Sequence, residues 1–196
     1  MPVSTMQQDK ERLFQILLKD AFFREKIILS SGQESDYYID ARLVTLSPEG
    51  VYLSGKIILE MVKGDKVAAI GGPTLGADPL VGAIGVLSFQ TGKPINTFII
   101  RKAPKPHGKQ QQIEGPLIPE GGKVVLIDDV ATTGKAFVES IDVLKKYHIS
   151  VHKAICLVDR QQGAQEALAK YNCPLAAIFK AAEFLNFKTQ NVKFKS

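Results

Sequence analysis

Short apolar-rich runs recur along the chain and alternate with stretches whose apolar residues follow a helical period. Three runs, 66–72, 95–101 and 123–129, are apolar through their centres, which is typical of parallel strands buried on both faces. Ser47-Pro48 and Asp78-Pro79 each combine a capping side chain with a proline at the first helical position. The pattern predicts strands at 26–30, 37–41, 66–72, 95–101, 123–129, 151–158 and 175–179, and helices at 8–20, 48–63, 78–92, 135–147 and 163–171.

This alternation predicts an α/β fold with a central parallel sheet and helices on both faces. No repeat or linker divides the 196 residues, so we expect one domain. With 45% hydrophobic and 23% charged residues, the chain can bury a core without disulfides. Its two cysteines, Cys156 and Cys173, lack metal-ligand spacing and are expected in the core. No apolar run reaches the roughly 18 residues of a membrane span, and no signal sequence is visible, so we expect a cytoplasmic protein.

The net charge of +5 is concentrated in one segment, 91–113, which holds five basic residues and no acidic one. The rest of the chain carries equal numbers of basic and acidic residues. A nucleic-acid surface usually interleaves its cations with aromatic side chains, and this segment has only Phe98. The segment therefore favours a loop that binds one small, highly charged anion. Its cations are Lys93, Arg101, Lys102, Lys105 and Lys109.

The strongest chemical signal is the run VVLIDDVATTGKAF at 124–137, where a predicted buried strand ends in two carboxylates. Ligands of open α/β sheets bind at the carboxyl ends of strands, and backbone N–H groups at a helix start suit a phosphate. Asp128 and Asp129 suit hydroxyl groups as acceptors and can attract a hydrated Mg²⁺. The run therefore favours a ribose phosphate. A P-loop would need Ser or Thr at Ala136, and the functionally silent alternative is a solvated carboxylate pair.

The segment DDVATTGKA at 128–136 resembles the phosphoribosyl-diphosphate (PRPP) signature of type I phosphoribosyltransferases. Similarity extends over nearly the whole chain and is most specific to orotate phosphoribosyltransferases. The resemblance implies the type I fold with a small N-terminal hood formed by part of 1–45 and a mobile loop at about 103–116. It also implies a homodimer with shared active sites. The further matching segments are LSSGQESDYYID (29–40), GGPTLGADP (71–79), RKAPKPHG (101–108) and VDRQQG (158–163).

The resemblance implies transfer of the ribose 5-phosphate of PRPP to N1 of orotate, which yields orotidine 5′-monophosphate and pyrophosphate in pyrimidine synthesis. It implies Mg²⁺ as the cofactor, held mainly by PRPP and water near the two carboxylates, and no nucleic-acid or membrane partner. Lys105, His107, Asp128 and Asp129 are the implied catalytic residues. The implied PRPP ligands are Arg101, Lys102, Lys105, His107, Asp128, Asp129, Val130, Ala131, Thr132, Thr133, Gly134, Lys135 and Ala136.

The implied orotate site contains Arg160, whose planar fork suits a carboxylate, together with Thr132 and the aromatic pair Tyr37 and Tyr38. The alternative for Arg160 is a local ion pair with Asp159, and the alternative for the tyrosines is core packing. For the basic loop, the alternative is a solvated surface loop.

Two positions depart from the family pattern, since Ser30 and Leu75 stand where many members have lysine. Three other functions are kept open beside the orotate enzyme. A purine-salvage phosphoribosyltransferase would need no carboxylate partner in its base pocket. A PRPP-binding regulator would keep the fold without turnover, and a nucleic-acid-binding module would lose affinity steeply with salt.

Overall fold

The computed structural model describes residues 4–28, 34–103 and 111–192. Within those ranges, no helix combines the length and the apolarity that crossing a membrane requires. The strands are β1 (Phe22–Phe23), β2 (Ile27–Ile28), β3 (Glu34–Ser35), β4 (Tyr38–Ile39), β5 (Ala69–Pro73), β6 (Asn96–Ile100), β7 (Ile113–Glu114), β8 (Lys123–Ala131), β9 (Ser150–Asp159) and β10 (Leu175–Lys180). The helices are α1 (Met6–Asp20), α2 (Arg42–Thr45), α3 (Pro48–Met61), α4 (Asp78–Gln90), α5 (Lys135–Lys146), α6 (Ala164–Ala169) and α7 (Ala181–Val192).

Six strands form the central sheet in the order β10-β9-β8-β5-β6-β7. The first five are mutually parallel, and β7 pairs antiparallel with β6 at the edge. The predicted α/β sheet is confirmed, but it is mixed and not purely parallel. Strand β7 lies inside 103–116, which the sequence predicts as a loop without regular structure. Two residues are too short for a period-2 pattern, so pairing with β6 decides this element.

Side chains of the central strands alternate between two hydrophobic clusters, one on each face of the sheet. Val125 and Ile127 of β8 belong to the cluster that also includes residues of α1, α3, α4 and α7. Val124 and Leu126 belong to the other cluster, which includes residues of α5 and α6. Both faces of the sheet are therefore covered by helices, as predicted. Cys156 and Cys173 are both free and buried in the second cluster.

Of the two predicted proline-marked helix starts, the structure confirms the capping role of only one. Ser47 is the N-cap of α3, and its Oγ accepts a hydrogen bond from the Gly50 backbone N–H at 3.2 Å. Asp78 is instead the first residue of α4, whose N-cap Ala77 makes no side-chain hydrogen bond. The Asp78 carboxylate instead accepts a hydrogen bond from Thr74 Oγ1 at 2.7 Å. The side chain that the sequence predicts as a helix cap therefore stabilises the preceding turn.

The C-terminal helix α7 and the N-terminal segment pack together through stacked aromatic rings. Phe184 of α7 stacks on Phe22 with centroids 5.7 Å apart, and Phe22 stacks on Tyr37, also at 5.7 Å. Arg24 adds a hydrogen bond at 2.9 Å to the backbone carbonyl oxygen of Leu185. The sequence pattern predicts no helix at 181–192 and indicates a frayed terminus for the Lys-rich tail at Lys188, Lys193 and Lys195. The helix nevertheless includes position 188, because tertiary packing of its apolar face stabilises it. Lys193 and Lys195 lie outside the described residues.

Candidate active site

Three loops meet at the carboxyl ends of the parallel strands β5, β8 and β9. Strand β8 and strand β9 end side by side, with Ala131 paired to Asp159, and the Arg160 backbone N–H donates to the Ala131 carbonyl oxygen at 2.8 Å. Strand β5 lies on the other side of β8. The residues that follow these strands therefore surround one depression at the edge of the sheet, where α/β proteins bind their ligands.

The loop after β8 turns into helix α5 at Gly134, whose φ of 78° lies in the left-handed region. A β-carbon at this position would also lie only 3.1 Å from the Ala164 Cα atom, so both the backbone conformation and the packing require glycine. Among the residues that the structure describes, no side chain caps the first turn of α5. Its free N–H groups and the positive end of the helix dipole suit a phosphate, as the signature predicts. Thr132 is half-buried in this loop, and Thr133 and Lys135 are exposed.

Asp128 and Asp129 lie together at the base of the depression. Asp128 is 8% exposed. Its Oδ1 accepts from the Asp129 backbone N–H at 2.9 Å, and Asp129 Oδ1 accepts from the Val130 N–H at 2.7 Å. Burial raises the pKa of Asp128 well above its ordinary value, and the neighbouring Asp129 charge adds to the rise. Burial also raises the pKa of Asp129. Hydroxyl donors or a cation beside Asp128 and Asp129 would stabilise their ionised forms.

No group of three or more acidic, histidine or cysteine side chains within the described ranges could enclose a metal ion. A Mg²⁺ ion at Asp128 and Asp129 would therefore take its other oxygen ligands from substrate and water. Such partly hydrated sites are typical of Mg²⁺ in proteins that bind phosphorylated substrates. The two carboxylates fit that mode of binding.

The turn after β5 brings Gly76 against both carboxylates. A β-carbon at position 76 would overlap Asp128 Oδ1 and would crowd Asp129 Oδ1. Asp78 Oδ1, at the end of the same turn, is buried without a hydrogen-bond partner among the described residues. Sequence reasoning identified the motif GGPTLGADP but assigned no role to Gly76. A glycine in a loop indicates that another group lies close to the backbone, but the sequence does not identify that group.

Arg101 and Lys102 line a cavity of about 350 Å³ next to this turn, together with Thr74 and Ser140. The Arg101 backbone N–H donates to the Gln112 carbonyl oxygen at 2.8 Å, which closes the base of the basic loop. Both cations are exposed, and one Arg101 guanidinium nitrogen lies 3.5 Å from a Glu114 carboxylate oxygen. The predicted site residues Lys105 and His107, and the variant position Ser30, lie outside the described residues.

Arg160 is a buried cation, only 7% exposed. Its Nη2 donates to Ser35 Oγ at 3.1 Å, and its guanidinium carbon lies 4.8 Å from the centroid of the Tyr37 ring. Its Nε is buried and has no hydrogen-bond partner among the described residues. Asp159 makes no ion pair with it in the described structure and instead accepts from the Gln161 backbone N–H at 2.7 Å. The local ion-pair alternative therefore finds no support.

The two predicted tyrosines both make ring contacts with protein side chains. Tyr37 lies between Phe22 and the guanidinium of Arg160, and Tyr38 stacks on Phe23 with centroids 6.4 Å apart. The core-packing alternative accounts for these contacts. A role of Tyr37, Tyr38 and Thr132 in binding the pyrimidine stays a prediction.

Comparison with known proteins agrees with this geometry. The family profile described as "Phosphoribosyl transferase domain" matches residues 43–183. The orotate phosphoribosyltransferase of Nostoc sp. is 42% identical over 177 residues, covering 90% of this chain and 84% of its own. That of Aquifex aeolicus is 43% identical over 157 residues, covering 80% of this chain and 85% of its own.

Solved structures point to the same family. A crystal structure of Mycobacterium tuberculosis orotate phosphoribosyltransferase with Fe(III) dicitrate has a TM-score of 0.78 and 31% identity, covering 90% of this chain and 98% of its own. Adenine phosphoribosyltransferase from Thermoanaerobacter pseudethanolicus has a TM-score of 0.64, and the match covers 86% of this chain and 99% of that protein. At 15% identity, this similarity shows the fold alone. The predicted family is confirmed: the chain is a phosphoribosyltransferase and belongs to the orotate phosphoribosyltransferase family.

Proposed function

We propose that the chain transfers the ribose 5-phosphate of PRPP to N1 of orotate and releases pyrophosphate, with Mg²⁺ as its cofactor. The observation that carries the proposal is the buried guanidinium of Arg160, whose Nε lacks a partner among the described residues. Leaving a buried cation incompletely hydrogen-bonded is costly, so an anionic ligand is expected to pair with this guanidinium. The carboxylate of orotate supplies that anion, whereas uracil and the purine bases do not.

The phosphate and ribose of PRPP fit the signature loop. The first turn of α5, which no described side chain caps, offers N–H groups to the 5′-phosphate, and the left-handed backbone of Gly134 forms the turn that leads into this helix. The ribose hydroxyls donate to Asp128 and Asp129, which favours the ionised form of two groups whose pKa burial raises. A second Mycobacterium tuberculosis structure, 29% identical with a TM-score of 0.75, covers 90% of this chain and 98% of its own and was determined in complex with PRPP, which supports PRPP as the substrate.

Arg101 and Lys102, which line one cavity, would bind the leaving pyrophosphate. Negative charge on that group grows as the bond from ribose C1′ to oxygen breaks, so cations that meet it at that moment lower the barrier. Mg²⁺, when bound, would stabilise the same charge. The family resemblance adds Lys105 and His107 to this set, on a loop that would close over the site and exclude water. Their part in the reaction is a prediction.

A homodimer is the second part of the proposal. Exposed large apolar side chains form a continuous face over α2, α3, α4 and the turn after β5, and this face includes a groove of about 700 Å³. Clustered exposed apolar surface of this kind marks interaction sites. Because Leu75 belongs to the face and adjoins Gly76, a second copy bound there would lie next to the active site. The face comprises Leu43, Leu46, Tyr52, Leu75, Val86 and Phe89.

The dimer is tested with Leu46→Glu, since Leu46 is 72% exposed at the centre of the face. Light scattering should give a dimeric mass for the wild type and a monomeric mass for Leu46→Glu. Leu117→Glu is the matched control, because Leu117 is 91% exposed away from this face. A monomeric wild type would contradict the proposal.

The cytoplasmic location of the protein stays a prediction.

The reaction is tested with the purified chain, PRPP and Mg²⁺, offered orotate, uracil, adenine or hypoxanthine in turn. We expect pyrophosphate release with orotate alone and a strongly raised KM for orotate in Arg160→Ala. Arg12→Ala is the control, because Arg12 is an exposed arginine paired with Glu49 far from the site. Release only with a purine base would favour the salvage alternative. PRPP binding without turnover would favour the regulator.

A further inference from the structure

We infer that Ser35 is a positioning residue that orients Arg160 and thereby sets the preference for a base carrying a carboxylate. The inference rests on the proposed function. Ser35 lies 125 positions from Arg160 in the sequence, on the short strand β3 of the N-terminal segment. The contact therefore joins the N-terminal segment to the end of the central strand β9.

The hydrogen bonds of the Ser35 hydroxyl define its direction. Ser35 Oγ donates its single proton to the Tyr37 carbonyl oxygen at 2.8 Å, and the Tyr37 N–H approaches the same oxygen atom at 3.4 Å. A serine hydroxyl has one proton and two lone pairs. With the proton engaged by Tyr37, the oxygen presents a lone pair to Arg160, whose Nη2 donates to it at 3.1 Å. Ser35 therefore acts as a fixed acceptor for the guanidinium.

The ring of Tyr37 restrains the same guanidinium from a second side. Its centroid lies 4.8 Å from the guanidinium carbon, within the range of a cation–π contact. Phe22 stacks behind Tyr37 and holds that ring in place. With one face covered and Nη2 anchored, the Arg160 side chain has little freedom to rotate. The guanidinium is then held in one orientation before the ligand arrives, which reduces the entropy lost on binding.

Removal of the Ser35 hydroxyl should loosen the orientation of Arg160 and so weaken binding of the orotate carboxylate, without affecting the PRPP end of the site. A hydrogen bond to a charged group that is lost in a buried setting corresponds to about a tenfold change in binding. We therefore expect Ser35→Ala to raise the KM for orotate about tenfold. The KM for PRPP and the value of kcat should stay within about twofold, because the hydrogen bonds of Ser35 to described residues join Tyr37 and Arg160 and not the signature loop.

The test is steady-state kinetics of Ser35→Ala and Ser35→Thr on the full chain. Ser35→Thr keeps the hydroxyl and should restore the KM for orotate to within about threefold of the wild type. Ser150→Ala is the matched control, because the Ser150 hydroxyl also donates to a backbone carbonyl oxygen, that of Gly122 at 3.3 Å, but at the opposite end of β9. It should leave all three constants unchanged.

A second readout separates orientation of Arg160 from a general structural role. Inhibition by orotamide, in which an uncharged amide replaces the carboxylate, should weaken by less than about threefold in Ser35→Ala. An unchanged KM for orotate in Ser35→Ala, or equal losses for orotate, orotamide and PRPP, overturns the inference while the proposed function stands. A wild-type chain that does not use orotate at all refutes the proposed function itself.

Discussion

The backbone of Gly76 lies so close to the carboxylate of Asp128 that a β-carbon on residue 76 would overlap its Oδ1. The turn after β5 and the end of β8 are thus fitted together at the point where the ribose and its leaving group would meet. Because Asp128 is buried and hydrogen-bonded to the chain, the carboxylate cannot move aside without disturbing its neighbours.

Gly76→Ala should therefore abolish most activity by displacing the turn or the carboxylates, with a loss in kcat/KM of at least about a hundredfold, as expected for a misplacement near 1 Å. The measurement is kcat/KM with PRPP varied. Gly85→Ala in α4 is the control, since its new β-carbon would make only ordinary contacts with Thr97. Full activity of Gly76→Ala would show that the turn is free to shift.

Asp128→Asn should stabilise the fold at neutral pH while it reduces activity. Burial raises the folded-state pKa of Asp128 well above 3.8, so the unfolded state releases this proton at lower pH than the folded state does. Stability therefore falls as pH rises from the unfolded value toward the folded one, and the cost remains in full above it. The difference in Tm between Asp128→Asn and wild type should be near zero below pH ~3.8 and grow as pH rises. A constant difference across pH would contradict this assignment.

Asp65→Asn should show the opposite dependence. Lys153 Nζ lies 2.7 Å from Asp65 Oδ2, and this ion pair is the main reason that the pKa of Asp65 is lowered. A lowered folded-state pKa contributes stability above the unfolded value of 3.8, and that stability is lost as pH falls through the folded value. Asp65→Asn should destabilise the protein by about 1 kcal/mol at pH 7, measured by urea unfolding.

Glu60→Gln is the comparison for this pair, because Glu60 and Lys63 form an exposed ion pair that should contribute little. Equal effects of the two substitutions, or a loss in Asp65→Asn that persists unchanged at low pH, would argue against the role of the Asp65–Lys153 contact.

Gly134→Ala should lower both stability and PRPP affinity. Its φ of 78° strains any other residue, and the new β-carbon would press on Ala164. Gly64 has a φ of 91° but nothing within 4 Å of an added β-carbon, so Gly64→Ala isolates the backbone strain, about 1 kcal/mol. We expect about twice that loss in Gly134→Ala, together with a raised KM for PRPP. Equal losses of stability in Gly134→Ala and Gly64→Ala would mean that Ala164 shifts to accommodate the new β-carbon.

The sequence predicted the long strands well because the central residues of β8 (124–127) and β9 (154–158) are apolar and buried. It missed α7 and β7, since packing and pairing decide those elements and local propensity does not. Arg160 was identified from its motif, but Ser35, its partner across 125 positions, carries no local signal. Asp78 was taken for a helix cap because the sequence does not show that Thr74 engages its carboxylate.

The stack of rings from Phe184 through Phe22 to Tyr37 ends beneath the guanidinium of Arg160. Packed rings transmit a change in volume to their neighbours, since protein interiors have low compressibility. If Arg160 binds the base as proposed, we expect substitutions of Phe184 in the last helix to alter base selectivity without replacing any residue that touches a ligand. Such changes would leave the PRPP signature intact.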